Sequence, residues 1–180
     1  MVTRCHDRPT GTRNQVRFFQ WGLPTSNLAT MTTDAGWVGT AMEQAVPWVR
    51  TAGVEFGKIT PERAVAYLPD AGGMHNHVGG PHAAMIFGLG ETASGAVAMA
   101  AFGAAVQRAT PLVVRSEIQY VRLARGTLTA AAVLDRPAAD VLAELDAGTR
   151  PEFAVTVVIT DAGGGETTRM SVVWTLRPNR

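Results

Sequence analysis

The chain has 180 residues, 46% of them hydrophobic and 17% charged, and its formal net charge is +1. This length accommodates one domain with a sizeable core and excludes two domains of ordinary size. Because the few charges are interspersed and form no basic run or face, we expect neither a nucleic-acid partner nor attachment to an anionic membrane.

Residues 1–35 mix Arg, Thr, Asn, Gly and Pro without any hydrophobic period, and they predict a flexible extension before one domain over residues 36–177. This stretch lacks the apolar segment of a secretory signal. The single cysteine, Cys5, excludes an internal disulfide and suits a reducing compartment. We therefore expect a cytoplasmic protein, with Met31 as an alternative start that the sequence leaves open.

The domain is expected to begin with a short amphipathic helix over Gly36–Thr51, disturbed at Pro47 and closed by Gly53. The segment Val54–Pro69 alternates loosely between apolar and polar residues. It predicts either a pair of strands or one strand broken at Pro61.

A polar loop over residues 70–80 leads into a long helix, predicted from Pro81 to about Arg108. Proline suits the first helical position because it has no N–H to satisfy. From Ala83 to Val106 the only formal charge is Glu91. A helix that is apolar on all sides is normally enclosed by other elements, and a carboxylate inside it is costly unless it is bonded, neutralised or used. The Ala and Gly content and Glu91 argue against a membrane span.

The second half of the chain reads as strands with one inserted helix. After Pro111, strands are predicted over residues 112–122 and 126–134, joined by a tight hairpin at residues 123–125. A short surface helix is expected within residues 135–148, followed by two strands around the turn at residues 161–165. One long apolar helix within antiparallel strands predicts an α+β fold, with the sheet wrapped around the helix.

Helix geometry limits what the polar residues of the long helix can do together. His82 and Glu91 are nine residues apart, which places them about 13 Å apart on opposite sides of one helix. If both serve one reaction, the helix start of one protomer must face Glu91 of another. The arrangement then requires a homodimer with two equivalent sites.

The spacing Asn76, Gly79, His82, Glu91 resembles the signature of the hotdog-fold acyl-CoA thioesterases, of the phenylacetyl-CoA thioesterase-like kind. The segment Ile118–Ala130 is similar to the strands that follow the helix in that family. The likeness covers about residues 54–176. Where the family often has His-Gly-Gly, this chain has His-Ala-Ala, as in an uncharacterised, thioesterase-like branch of the superfamily.

This resemblance implies a hotdog fold and the hydrolysis of acyl-CoA to a free acid and CoA. Backbone N–H groups at the helix start, that of Ala83 and also that of Ala84, would polarise the thioester carbonyl. Glu91 would act as general base on water or as nucleophile, two routes that the sequence does not separate. Asn76 would orient water or the carboxylate, and the substrate would also contact His82.

Further contacts to substrate are expected from the loop glycines Gly79 and Gly80 and from cations at the rim. Arg122 and Arg125, with Arg115 behind them, are the candidates for the CoA phosphates. No cofactor is expected beyond the CoA of the substrate. The partners are the acyl-CoA and a second copy of the chain, as a dimer or a tetramer.

Several alternatives remain open at this stage. Glu91 also fits a structural acid bonded to a nearby hydroxyl, and His82 fits a helix cap. The Ala-Ala departure suits a protein that binds acyl-CoA without turnover, whereas His77 with Glu91 suits a 3-hydroxyacyl thioester dehydratase. His75, His77 and His82 suggest a metal, but no acidic ligand follows at the expected spacing, so we expect none.

Overall fold

The computed structural model describes residues 35–179, in which six antiparallel strands form one sheet around a long helix. The predicted extension over residues 1–35, including Cys5 and Met31, lies outside the described residues except for Ala35. The strands are β1 Glu55–Ile59, β2 Arg63–Leu68, β3 Ala109–Tyr120, β4 Leu128–Leu134, β5 Glu152–Thr160 and β6 Glu166–Pro178. The α-helices are α1 Trp37–Ala45, α2 Pro47–Ala52, α3 Ala83–Phe102 and α4 Ala138–Asp146. The order across the sheet is β1-β2-β4-β5-β6-β3, which confirms the predicted α+β fold.

Helix α3 forms the centre of the core. From Leu89 to Ala100 every residue except Glu91 is buried, and each fully buried Leu or Val side chain contributes about 1.5–3 kcal/mol. Gly90 permits the close contact with the sheet, because a Cβ there would lie 2.2 Å from the sulfur of Met170 on β6. An apolar helix is thus enclosed by the sheet together with residues of α1 and α2, such as Met42 and Trp48, as its composition predicts.

The bounds of α3 differ from the prediction at both ends. The helix begins at Ala83 and not at Pro81, because His82 keeps an extended backbone and acts as the N-cap. It ends at Phe102 and continues as one 3-10 turn over Gly103–Ala105, short of Arg108. A proline near the start therefore marked the approach to the helix and not its first residue.

The N-terminal helices and the first strands follow the sequence closely. Helix α1 ends before Pro47, which is the first residue of α2, and Gly53 ends α2 with a φ of 66°. Strands β1 and β2 form an antiparallel pair with Pro61 between them. Of the two alternatives for this segment, the strand pair is confirmed.

The predicted hairpin at residues 123–125 is wrong. Strand β3 pairs with β6 at the end of the sheet, whereas β4 lies between β2 and β5. The segment after β3 therefore crosses the sheet end and does not reverse between neighbours. The second predicted hairpin is confirmed, since β5 and β6 pair around residues 161–165. The predicted surface helix is α4, which buries Val141 and Leu145.

Strand β3 is an edge strand with an unusual surface. Pro111 lies within it, which an edge position tolerates because its missing N–H interrupts no central ladder. The strand exposes three consecutive apolar residues, Leu112, Val113 and Val114, whose exposed fractions are 38%, 40% and 41%. Among the described residues, no strand pairs with the outer edge of β3.

Candidate active site

The loop before α3 is folded by one side chain, that of Asn76. Its Oδ1 accepts hydrogen bonds from the N–H groups of Val78 at 2.9 Å and Gly80 at 3.3 Å. Its Nδ2 donates to the carbonyl of Pro81 at 3.3 Å. Asn side chains favour such local turns. Asn76 thus shapes the loop, and the structure gives it no contact to Glu91. Gly79 has a φ of 78° on the exposed side of this loop.

The start of α3 leaves one amide free beside this loop. Nδ1 of His82 accepts from Ala84 N at 3.0 Å, and the carbonyl of His82 accepts from the N–H groups of Met85 and Ile86. The N–H of Ala83 has no partner among the described residues. His82 is therefore the cap of the helix, and Ala83 rather than Ala84 offers an unused donor at the positive end of the helix dipole.

A pocket of about 330 Å³ lies against this helix start. It is lined by two groups of residues, from the loop with the first turn of α3 and from the end of β3 with the segment after it: Asn76, Val78, Gly80, Pro81, Ala83, Ile86, Tyr120, Arg122, Leu123, Ala124 and Arg125. Five of the predicted site residues are thus brought together here. Gly79, His82 and Glu91 are not part of the lining.

The two walls of the pocket approach each other closely. A Cβ on Gly80 would lie 2.5 Å from the carbonyl oxygen of Ala124, so this position accepts only glycine without displacement of a wall. The hydroxyl of Tyr120 donates to the carbonyl of Ala83 at 3.3 Å. Tyr120 was not predicted as a site residue, although it lies in the segment that carries the family resemblance.

The guanidinium of Arg122 forms its hydrogen bonds within the protein. Its Nη1 and Nη2 each donate to one carboxylate oxygen of Asp161 at 3.0 Å, and its Nε donates to the carbonyl of Glu166 at 3.0 Å. The Asp161 side chain is only 6% exposed. The Arg122 guanidinium lowers the pKa of the Asp161 carboxyl below its ordinary value. Arg122 therefore anchors the pocket wall to the turn between β5 and β6, a role that the sequence did not predict.

Two further arginines were predicted to meet phosphates. The side chain of Arg125 is exposed at the pocket and has no ion pair or hydrogen bond among the described residues. Arg115 faces Glu152 at 3.7 Å and does not line the pocket. Of these arginines, only Arg125 has a guanidinium at the pocket rim that is available to bind a ligand.

Glu91 lies two turns further along α3, half-buried in the otherwise enclosed part of the helix. Burial raises the pKa of its carboxyl above the ordinary value. Its carboxylate has no hydrogen-bond partner within residues 35–179, and the hydroxyl of Ser94 donates to the Glu91 backbone carbonyl instead. The structure thus shows no hydroxyl that holds Glu91 as a structural acid. Within one protomer the carboxylate and the pocket are separate.

The remaining histidines of the loop do not form a metal centre in the described part of the chain. Nε2 of His75 lies 2.5 Å from a carboxylate oxygen of Asp70, and His77 is exposed. No group of three or more His, Cys, Asp or Glu side chains suited to a metal ion occurs between residues 35 and 179.

Comparison with known proteins places this geometry in context. The family profile described as a domain of unknown function, DUF4442, matches residues 36–176. No curated protein matches the chain.

Solved structures share the fold at low sequence identity. A protein of unknown function and probable thioesterase from Pseudomonas aeruginosa is 23% identical, with a TM-score of 0.71, 80% of this chain and 95% of that chain being covered. The PaaI protein of the Escherichia coli phenylacetic acid degradation operon is 16% identical, with a TM-score of 0.62 and coverage of 78% and 91%. A thioesterase family protein from Silicibacter pomeroyi is 18% identical, with a TM-score of 0.62 and coverage of 79% and 96%. The predicted hotdog fold is confirmed.

The fold also accounts for the apolar character of α3. By length and composition alone, residues 83–105 would suffice to cross a membrane, but 72% of the 18-residue apolar window within this segment is buried inside the protein. The central helix is enclosed by the sheet and by the N-terminal helices of the same chain, so its hydropathy has a structural cause.

Proposed function

Because the chain belongs to the DUF4442 family and folds as a hotdog protein, we propose that it hydrolyses acyl-CoA thioesters to a free acid and CoA. The observation that carries this proposal is the pairing, on one helix, of the unused Ala83 N–H at the pocket with the unpartnered, half-buried Glu91 carboxylate. The named thioesterases among the structural neighbours support the same class of reaction.

The helix start supplies the electrophilic part of the site. In thioester hydrolysis the carbonyl oxygen becomes negative when it is attacked, and a fixed N–H donor at a helix N-terminus stabilises that charge. Ala83 has such a donor directed to no other group of the described protein. Its neighbour Ala84 already donates to His82, so one amide rather than two is assigned to the oxyanion.

Glu91 supplies the basic part. A carboxylate with a raised pKa is a stronger base than an ordinary one, because proton transfer improves as the pKa approaches the working pH. In one route Glu91 takes a proton from water as the oxygen attacks the carbonyl carbon, and the tetrahedral intermediate expels CoA, whose thiolate then takes up the proton. In the other route the carboxylate attacks, CoA leaves, and water cleaves the mixed anhydride.

Both parts serve one substrate only if two protomers combine, since Glu91 does not line the pocket of its own chain. The proposed assembly is a homodimer with two sites, in which Ala83 of one protomer faces Glu91 of its partner. Its support is strand β3, whose open edge and exposed Leu112, Val113 and Val114 provide an apolar surface that a second copy would cover. A tetramer of such dimers is equally compatible with the proposal.

The CoA part of the substrate is assigned to the pocket rim. Arg125 would contact phosphate, because its guanidinium is the one that has no partner there within the described chain. Arg122 would keep the wall in place and not bind the ligand. The reaction needs no cofactor beyond the CoA of the substrate, and a cytoplasmic location would supply acyl-CoA.

The test is thiol release from a panel of acyl-CoAs by the wild type and by Glu91→Gln. We expect release by the wild type, and a loss in Glu91→Gln of at least about 100-fold in kcat, because the base is removed while the shape is kept. Glu62→Gln, at an exposed acid between β1 and β2, is the matched control and should retain activity.

The outcomes separate the proposed functions. Binding of acyl-CoA without release by any form would support the non-catalytic acyl-CoA binder and overturn hydrolysis. Full activity of Glu91→Gln would remove Glu91 from the mechanism. Sedimentation of the active protein as a monomer would overturn the shared site.

A further inference from the structure

A chain of hydrogen bonds connects β6 to the helical turn that carries Glu91. The indole Nε1 of Trp174 donates to the hydroxyl of Ser94 at 3.0 Å, and that hydroxyl donates to the backbone carbonyl of Glu91 at 2.7 Å. Ser94 is fully buried and Trp174 is 8% exposed. One hydroxyl thus accepts from the sheet and donates to the helix within an apolar core.

Most other contacts of this part of α3 are apolar packing contacts, such as that of Gly90 with Met170. Around Ser94 the helix presents mainly small apolar residues, such as Ala93 and Ala96, whose contacts are not directional. The ring of Trp174 lies against the next residue, since a Cβ on Gly95 would be 3.5 Å from its Cη2 atom. The hydrogen bonds from Trp174 through Ser94 therefore add a directional link between α3 and the sheet to the packing contacts around it.

We propose that Ser94 and Trp174 are positioning residues for Glu91, which hold the helical turn behind its carboxylate in the place that hydrolysis requires. This inference rests on the proposed thioesterase function. The acid must meet a carbonyl carbon held by another element, and a misplacement of about 1 Å costs up to about 100-fold in rate. Neither Ser94 nor Trp174 contacts the pocket, so their effect passes through Glu91.

Substrate binding and the chemical step should separate when the pair is broken. The substrate is held at the pocket, whereas the pair acts on Glu91. Loss of the pair should therefore lower kcat and leave KM nearly unchanged, whereas a general loosening of the core would affect both. The conversion of acyl-CoA by the full chain is the measured reaction.

The experiment compares Ser94→Ala, Trp174→Phe and Thr168→Val. Ser94→Ala removes the central hydroxyl, and Trp174→Phe removes the N–H donor but keeps an aromatic ring. Thr168 is the matched control, because it lies on β6, is fully buried, and has a hydroxyl without a hydrogen-bond partner in the described chain. We expect kcat to fall about tenfold or more in both variants of the pair, with KM within about twofold, and no change in Thr168→Val.

The results distinguish this inference from the function on which it rests. If Glu91→Gln is inactive but Ser94→Ala and Trp174→Phe keep the kcat of the wild type, the positioning role is overturned and the thioesterase function stands. If Thr168→Val loses as much activity, or if both variants of the pair are unfolded in thermal denaturation, the pair only supports the core and the inference also fails. If Glu91→Gln is as active as the wild type, the assignment of Glu91 itself fails.

Discussion

The guanidinium of Arg122 meets the carboxylate of Asp161 through two hydrogen bonds of 3.0 Å each, across 39 positions of the chain. This pair lowers the pKa of the Asp161 carboxyl, so the folded state favours its ionised form. A lowered folded pKa gives stability that is present above the unfolded pKa and is lost as the pH falls through the folded value. Unfolding of the wild type should therefore become easier at acid pH.

In Asp161→Asn this pH-dependent part of the stability should disappear. At neutral pH the variant should unfold at a lower temperature than the wild type, and the difference should shrink below about pH 4. Thermal unfolding across the pH range measures it. The control is Asp146→Asn, which breaks an exposed pair with Arg108 and should change stability by about 0.5 kcal/mol or less. Parallel curves for wild type and Asp161→Asn would contradict the prediction.

Arg125→Ala should weaken substrate binding, whereas Arg122→Ala should lower the stability of the protein. Arg125 has no partner in the described protein, so its truncation should leave stability unchanged and raise KM for acyl-CoA about tenfold, as for one lost charge-assisted hydrogen bond of about 1.5 kcal/mol. Arg122→Ala releases the pocket wall from Asp161 and should lower the unfolding temperature.

Thioesters of N-acetylcysteamine, which lack the CoA phosphates, sharpen this comparison. Arg125→Ala should hydrolyse them as the wild type does, because no phosphate contact is lost. Arg122→Ala should be impaired with both kinds of substrate. An equal loss on both substrates in Arg125→Ala would show that its guanidinium does not meet phosphate.

Glu91→Gln should stabilise the protein while it removes activity. Burial raises the pKa of Glu91, so ionisation costs folding free energy once the pH exceeds the unfolded pKa, and the cost is complete above the folded pKa. The neutral amide avoids this cost. At about pH 8 the variant should unfold at a higher temperature than the wild type, and at about pH 3 the two should coincide. A variant less stable than the wild type at both values would show that the carboxylate makes favourable contacts that the burial argument omits.

Two glycines on the same stripe of α3 should respond oppositely to alanine. A Cβ on Gly88 would lie 2.4 Å from the Trp48 ring, whereas on Gly95 it would meet Met42 at 3.5 Å, an ordinary contact. Gly88→Ala should cost about 1–3 kcal/mol through overpacking. Gly95→Ala should cost nothing and gain up to about 1 kcal/mol from helix propensity. Urea unfolding of both variants decides this, and a destabilised Gly95→Ala would contradict it.

The sequence predicted those parts of the fold that depend on local pattern. The alternation from Phe153 to Leu176 around the glycine turn specified one hairpin, and the lack of any charge on α3 other than Glu91 indicated its burial. The segment at residues 123–125 also resembled a hairpin turn. The partners of a strand depend on the whole sheet, however, and β4 pairs with β2 and β5 rather than with β3. The error was one of long-range pairing.

In the candidate site too, the residues predicted from sequence are those that depend on local pattern. The helix start and Glu91 could be predicted as candidate site residues because their spacing lies within one element. The roles of Arg122 and Asn76 were not, because each is fixed by hydrogen bonds to groups that sequence does not place beside it. Trp174 lies on the last predicted strand, but its contact with Ser94 spans 80 positions. The residue pattern does not predict such a long-range pair.

The apolar edge of β3 bears on how the protein is produced. In the proposed dimer, a newly synthesised chain would expose Leu112, Val113 and Val114 until another copy covered them, and an open apolar edge also recruits partly folded segments. Association of two folded protomers then competes with aggregation. We expect the speed of synthesis and the dilution used for renaturation, more than heat, to govern the yield of native material.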